Sequence, residues 1–367
     1  MKRVWTFILF ASLILILHRF PVALLLILLA CAVVIFHAGL RRQIITTPLF
    51  KLFKRAMPPI SATEREALES GTVWWDGQLF SGKPDWDVLL NSAQHQLTVE
   101  EQDFLDGPTE RLCEQLNDWQ ITHKDHDLPP HIWDFIKQQQ FFGLIIPKKY
   151  GGLGFSPLAH SQMVMKVASR CLTAAVTVMV PNSLGPAELL LHYGTDKQKD
   201  YYLPRLASGE EIPCFALTGP EAGSDASNLP DSGVVCQREF EGEVVTGILV
   251  NWEKRYITLG PVATLLGLAF HLYDPEHLLG DKEDIGITLA LIPTKTKGIT
   301  IGRRHWPMGM AFQNGPNWGK DVFIPLDWVI GGAEHRGEGW RMLMESLAAG
   351  RSISLPALSA GASKLAL

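Results

Sequence analysis

The sequence predicts an α+β protein in which a helical unit precedes a sheet and helix returns at the end. Three observations carry this. Residues 98 to 209 combine helix-capping signatures with apolar residues at helical spacing. From Ile212 onward, short β-type runs are separated by Gly, Pro and Asp with no helical pattern between them. After Gly331-Gly332 the helical spacing resumes. A long apolar block near the start stands apart from all three. The expected order is a membrane segment (1–36), a basic connector and irregular segment (37–97) and an N-terminal helical domain (98–211). A β-barrel-like middle domain (212–330) and the start of a C-terminal helical domain (331–367) follow.

At 367 residues the chain is long enough for two or three cores. A net charge of −5 with 19% charged residues argues against a nucleic-acid partner. The five cysteines, at 31, 113, 171, 214 and 236, form no C-x-x-C pair. That pattern gives neither a metal site nor a disulfide framework and fits a reducing compartment.

Val4–Leu17 is almost wholly apolar, His18-Arg19-Phe20-Pro21 interrupts, and Val22–Phe36 resumes. Each run is shorter than the roughly 20 residues that span a bilayer. One long tilted span carrying Arg19 and a tight helical hairpin both satisfy the pattern. A cleaved signal peptide fits less well, because the apolar stretch runs too long and no A-x-A site follows it. Arg41, Arg42, Lys51, Lys54 and Arg55 come next, which favours a cytoplasmic body and suits anionic headgroups. Met57-Pro58-Pro59-Ile60 stiffens the chain, and Trp74, Trp75 and Trp86 are expected to pack on the main body.

Thr98 with Glu101 reads as a capping box, and Phe104, Leu105, Leu112 and Leu116 recur near helical spacing. Ile132–Phe142 reads as a helix stopped near Gly143, and Leu158–Val180 as one long, mostly buried helix. Gly185–Tyr193 is a short one. Thr195 with Gln198 caps the next, which Gly209 closes. His123, His126 and His131 lie near Asp125 and Asp127, but Leu128-Pro129-Pro130 breaks any helical ligand spacing, so no metal is expected. Tyr150-Gly151-Gly152-Leu153-Gly154 lacks the Lys-Ser/Thr of a P-loop and reads as a connecting loop.

The strands expected are Val234-Val235-Cys236, Glu243–Val250, Tyr256–Thr258, Val262–Leu272, Ile285–Pro293, Gly298–Ile301 and Asp321–Ile324. Two stretches among them hold the candidate chemistry. Ala216-Leu217-Thr218-Gly219-Pro220-Glu221-Ala222-Gly223-Ser224-Asp225 turns from apolar to small and polar residues, where backbone can approach a ligand and hydroxyls can bond it. Lys254-Arg255-Tyr256-Ile257-Thr258-Leu259-Gly260 follows some thirty residues on. By themselves these are a turn and a strand end.

Together the two stretches resemble the flavin-facing segments of the acyl-CoA dehydrogenase family. The first resembles its signature ending in Ala-Gly-Ser-Asp, with Gly219 and Glu221 where relatives usually have Glu and Gly. The second resembles its Lys-x-Trp-Ile-Thr-Asn-Gly strand, with Tyr256 for Trp and Leu259 for Asn. Tyr193-Gly194-Thr195-Asp196-Lys197-Gln198-Lys199, Tyr202-Leu203-Pro204 and Ala349-Gly350-Arg351 extend the resemblance, which covers roughly residues 100 to 367. Pro58-Pro59, Thr72-Val73-Trp74-Trp75 and Gly82-Lys83-Pro84-Asp85-Trp86 are similar to the extra N-terminal segment of the large membrane-associated bacterial members.

The resemblance implies FAD as cofactor and fatty acyl-CoA as substrate, with α,β-dehydrogenation as the reaction and an electron-transfer flavoprotein as acceptor. It implies an inner-membrane protein with a cytoplasmic body, a homo-oligomer when complete. It places Leu217, Thr218, Gly223, Ser224, Tyr256, Ile257 and Thr258 at the flavin and Ser224 and Arg351 at the acyl-CoA. An acyl-CoA oxidase, and a membrane-bound acyl-CoA and flavin scaffold without turnover, share the same features. The reaction needs a carboxylate base. Gly350 stands where a minority of relatives carry it, and Glu221 and Glu345 match no base position, so no catalytic residue is assigned. The chain is expected to be an N-terminal fragment, inactive alone.

Overall fold

The structure is a computed structural model that describes residues 22–57, 59–70, 73–93, 95–183 and 185–367, together with Ile8 and Ser12. Apart from those last two, the expected run Val4–Leu17 and its interruption at His18–Pro21 lie outside the described residues, as do Pro58 and Thr72. The chain forms two compact units, Met1–Ser61 and Ala62–Leu367.

In the first unit, α1 (Val22–Phe36) is apolar throughout because every residue between Val22 and Phe36 is aliphatic, Ala, Cys or Phe. Its 15 residues rise about 22 Å, less than the about 30 Å of a bilayer core. Among the described residues no single helix is long and apolar enough to cross a membrane; Leu24–Phe36 and Ala38–Ala56 pass that test only as a pair bent by 86°. The bend has visible causes. His37 is extended and its Nδ1 accepts from the Leu40 N–H, capping the new helix. The Arg41 guanidinium donates to the Ile35 carbonyl at 3.0 Å, satisfying one of the orphan acceptors at the end of α1. A π-turn at Arg42–Thr46 leads into α2 (Thr47–Ala56), with Pro at its start.

The second unit begins with α3 (Ala62–Glu69). Of the three tryptophans beyond it, Trp75 is buried and lies against Trp86, whereas Trp74 is exposed. Its helical part comprises α4 (Val99–Asp106), α5 (Pro108–Gln115), α6 (Pro130–Gln138), α7 (Pro157–Ala168), α8 (Leu172–Met179), α9 (Pro186–Tyr193) and α10 (Asp196–Ser208). Both capping boxes read from the sequence are present, at Thr98/Glu101 and Thr195/Gln198. Gly209, at φ +72°, closes α10.

Two sequence expectations need correction here. The run read as one helix from Leu158 breaks between α7 and α8, because Cys171 is extended (φ −153°, ψ 115°) and the Ser169 hydroxyl takes the Lys166 carbonyl. The helix read to Phe142 ends at Gln138, because Gln140 turns left-handed (φ +59°) and the chain continues as a single 3-10 turn.

The N3 side chain of each capping box reaches beyond its own helix. The Glu101 carboxylate accepts from Thr98 N–H at 2.8 Å and from Ser156 N–H, at the start of α7, at 2.6 Å. Gln198, likewise buried, donates to the carbonyls of Asp327 (2.9 Å) and Val329 (2.7 Å) and accepts from Gly331 N–H (3.0 Å).

The sheet contains β1 (Pro213–Ala216), β2 (Ser232–Phe240), β3 (Glu243–Thr258), β4 (Leu265–Tyr273), β5 (Asp284–Pro293), β6 (Ile299–Ile301) and β7 (Asn314–Pro325). β5 pairs one edge of β4. Along the other edge of β4, β1 pairs its start and β2 its end, both parallel, and β3, β7 and β6 follow in antiparallel order. The result is a half-barrel. The runs read as separate strands at Glu243–Val250 and Tyr256–Thr258 are one 16-residue strand. Apolar residues of β3, β4, β5 and β7 and of α7 and α8 share one core. Finally α11 (Gly339–Ala366) lies along α7, with Met342, Leu343 and Leu347 buried.

Glu101 gives a pH-dependent prediction. Burial pushes its pKa up, but the hydrogen bonds from Ser156 and Thr98 outweigh this and hold it below the ordinary 4.5. A carboxylate depressed in the folded state stabilises fully above its unfolded pKa and loses that contribution as pH falls through the folded value. Glu101→Gln is expected to cost about 1–3 kcal/mol at pH 7. In urea titrations the gap between variant and parent should close once pH drops below that ordinary value.

Candidate functional site

The site is built where β3 stops pairing regularly. Its register with β7 slips between Lys254 and Ile257, so Arg255 and Tyr256 bulge from the ladder. Tyr256 adopts φ +61° and Leu259 φ +62°, a left-handed conformation uncommon for such residues. Bulges re-aim side chains, and here Tyr256 is left 61% exposed, its ring centroid 5.1 Å from that of His305. The Arg255 guanidinium lies 5.3 Å from the ring centroid, and much of the residue still faces solvent at a strained backbone position.

The bulge is held to the segment after β1 by a set of bonds. Lys254 is fully buried; its Nζ donates to the Leu217 carbonyl at 2.7 Å and pairs with the Asp231 carboxylate. Asp231 also accepts from the Glu253 N–H at 2.8 Å. Burial lowers the Lys254 pKa, and Asp231 opposes that shift. Arg255 N–H donates to the Thr218 carbonyl while the Thr218 hydroxyl donates to the Arg255 carbonyl, both at 3.2 Å. The Arg255 guanidinium donates to the Pro220 carbonyl at 3.1 Å.

A cavity of about 150 Å³ opens beside these bonds, lined by Val180, Phe215, Leu217, Thr218, Tyr256, Ile257, Thr258, Leu347 and Arg351. Its two hydroxyls have opposite polarity. Thr218 spends its proton on the Arg255 carbonyl and so offers lone pairs. Thr258 accepts from Asn314 Nδ2 at 3.3 Å, which leaves its O–H to donate. Arg351 is exposed along its side chain, and partial burial of the group lowers its pKa. Among the described residues it has no carboxylate partner. α11 reaches the cavity because Gly350 allows close approach: a Cβ there would meet the Ser183 carbonyl at 2.5 Å. Gly350 is thus a contact point between helix and turn, where a glutamate does not fit this packing.

Of the residues the sequence singled out, Leu217, Thr218, Tyr256, Ile257, Thr258 and Arg351 meet at this cavity. Gly223 and Ser224 do not; they sit in an exposed turn, with open space around Gly223. Glu221 lines a different surface cleft, with Trp252 and Trp318. Glu345 binds Tyr193 and, at 2.9 Å, Arg341. The Tyr193 bond, then Arg341, hold its pKa below the ordinary carboxylate value, and burial followed by Glu345 pushes Tyr193 up to about 12. Neither carboxylate lines the cavity.

Among the described residues no three His, Cys, Asp or Glu could share a metal. Asp127 instead accepts from Gln313 at 2.7 Å. In the glycine loop, the amides of Leu153, Gly154 and Phe155 donate to Gly143, Ile146 and Leu144, so they are not free to cradle a phosphate. Val180, Phe215, Leu347, Asn314 and Asp231 were not foreseen. Lys254 was the one signal, since a buried lysine needs a carboxylate, but nothing local points to Asp231.

Residues 98–210 match the acyl-CoA dehydrogenase N-terminal domain and residues 214–318 its middle domain. The chain belongs to the acyl-CoA dehydrogenase family. A 98-residue stretch, 27% of this chain and 58% of the relative, is 56% identical to "Protein HemX" of Proteus mirabilis. "Probable acyl-CoA dehydrogenase FadE10" of Mycobacterium tuberculosis is 33% identical over 227 residues, 62% of this chain and 32% of that protein. The human very long-chain specific acyl-CoA dehydrogenase is 29% identical over 266 residues, 72% of this chain and 38% of that protein. The chain thus spans about a third of the length of these two dehydrogenases. In fold it resembles butyryl-CoA dehydrogenase from Megasphaera elsdenii, with a TM-score of 0.63 and 24% identity over 75% of this chain and 68% of that one.

Removing one partner of a buried ion pair strands the other charge, at a cost of about 3–5 kcal/mol. Asp231→Asn is expected to lower stability by that amount in urea denaturation. Lys254→Met should in addition loosen the 217–220 segment, seen as faster amide exchange there.

Proposed function

We propose that this chain forms the flavin-binding part of an acyl-CoA dehydrogenase, with FAD in the cavity between the 217–218 segment, the Tyr256–Thr258 bulge and Arg351. The observation that carries this is the convergence of those three segments around one acceptor hydroxyl, one donor hydroxyl and one exposed ring. The group fits. A flavin edge offers a ring N–H that suits the Thr218 acceptor and a ring nitrogen that suits the Thr258 donor. Leu217 and Ile257 supply apolar walls, and Tyr256 a face on which a planar ring can stack.

Bound FAD supplies hydride acceptance from the β carbon of a fatty acyl-CoA. The chain's own residues orient the ring and keep one flank of it dry, and Thr258 donates a hydrogen bond at its edge. Arg351 presents a fixed positive charge to an anionic part of the acyl-CoA. The cavity lining contains no carboxylate, so the α-proton base is not among these residues, and this chain alone is not expected to turn over. An electron-transfer flavoprotein is the proposed acceptor, and a homo-oligomer the proposed form of the enzyme.

We further propose that the N-terminal apolar segment holds the protein at the inner membrane with Ala62–Leu367 in the cytoplasm. The apolar α1 and the Arg and Lys residues after it support this reading.

FAD titration of the purified chain is expected to show binding with a perturbed flavin spectrum. Thr258→Ala should weaken it by roughly three- to tenfold, the loss of about one hydrogen bond. An unchanged spectrum and affinity in the variant would remove Thr258 from the site. With fatty acyl-CoA and a dye acceptor, no steady turnover is expected; turnover abolished by Glu345→Gln or Glu221→Gln would show that a base is present. For topology, a reporter active only in the periplasm, fused to the C-terminus, is expected to stay silent.

A further inference from the structure

Helix α2 is amphipathic, and no described residue of its own unit covers either face. From Arg41 to Met57 every residue is exposed, including Leu49, Phe50, Leu52 and Phe53. At about 100° per residue, Leu49, Leu52, Phe53 and Ala56 fall on one face. Thr47, Lys51, Lys54 and Arg55 fall on the other. Four large apolar side chains in solvent on a ten-residue helix need a partner.

Charge and geometry say which partner. The first acidic residue of the chain is Glu64; before it come only Lys and Arg among the charged residues, although the whole chain carries −5. An anionic surface attracts this segment and not the rest, whereas a second copy of α2 would bring cations against cations. The 86° bend sets α2 at a right angle to apolar α1. If α1 runs along a bilayer normal, α2 lies in the plane of the headgroups. His37 and Arg41, the residues that fix the bend, then sit at headgroup level.

We propose that α2 is an interfacial helix that binds an anionic phospholipid bilayer. Leu49, Leu52 and Phe53 enter the acyl boundary with Phe50 at the edge of that face, and Lys51, Lys54 and Arg55 snorkel to lipid phosphates. This rests on the membrane attachment proposed above but adds a second contact with its own lipid preference.

The test is hydrogen exchange of residues 47–56 in the full chain, reconstituted into phosphatidylcholine bilayers with or without about a third phosphatidylglycerol. Each of three cations is worth about fivefold at such a surface, so exchange is expected to slow by up to about a hundredfold in the anionic bilayer. That difference should collapse in Lys51→Gln/Lys54→Gln/Arg55→Gln, and at about 0.5 M salt. Leu52→Ser/Phe53→Ser, which keeps the charge, should also lose the protection. Equal exchange in the two bilayers would overturn the proposal, as would slow exchange that survives the triple substitution or occurs without lipid. The two readings separate on an alkaline wash. A chain that resists washing from both bilayers while 47–56 exchanges freely keeps the anchor and overturns the lipid site. A chain that washes off, yet shows anionic-specific protection before the wash, keeps the lipid site and overturns the anchor.

Discussion

The site depends on one buried ion pair. Lys254 and Asp231 are both shielded from solvent, and taking two charges out of water costs several kcal/mol per ion before their attraction is counted. What offsets this is the number of backbone groups the pair satisfies. The lysine takes the Leu217 carbonyl and the aspartate takes the Glu253 amide, so three segments distant in sequence are pinned at one point. Once Leu217 and Glu253 are fixed, the reciprocal bonds between Thr218 and Arg255 follow in register.

That register decides what the cavity can recognise. The bulge at Arg255 and Tyr256 turns an aromatic ring outward at a cost in backbone strain. Asn314 then sets the polarity of the Thr258 hydroxyl and also bonds the Tyr256 carbonyl at 3.1 Å. The donor and acceptor pattern is a property of these second partners as much as of the two threonines. α11 completes the lining only because a glycine stands where it crosses Ser183.

Features governed by short-range chemistry were legible in the sequence. Thr98 with Glu101 and Thr195 with Gln198 act over three residues, and both caps formed. The helical and β-type halves were separable because their periodicities differ. Features set by tertiary contact were not legible. The bulge hid the continuity of β3, since two residues fall out of the alternation. The break at Cys171 has no Gly or Pro to mark it, only Ser169-Arg170 just before it. Gly350 read as a vacant acid position, whereas its meaning is steric. Six named positions met at one cavity because the motif resemblance carried long-range information that spacing lacks; Gly223 and Ser224, in the same motif, did not join them.

Gln198 has a consequence for the order of folding. Its helix can form from local signals alone, but its amide finds the 327–331 segment only across 133 residues of intervening chain. Closing so long a loop is entropically costly and comes late. As the chain leaves the ribosome, α4 through α10 emerge before any strand, and the Gln198 amide lacks its 327–331 partners until the half-barrel is complete. The exposed interval is the synthesis time of the sheet, when the apolar faces meant for it are uncovered and open to chaperones.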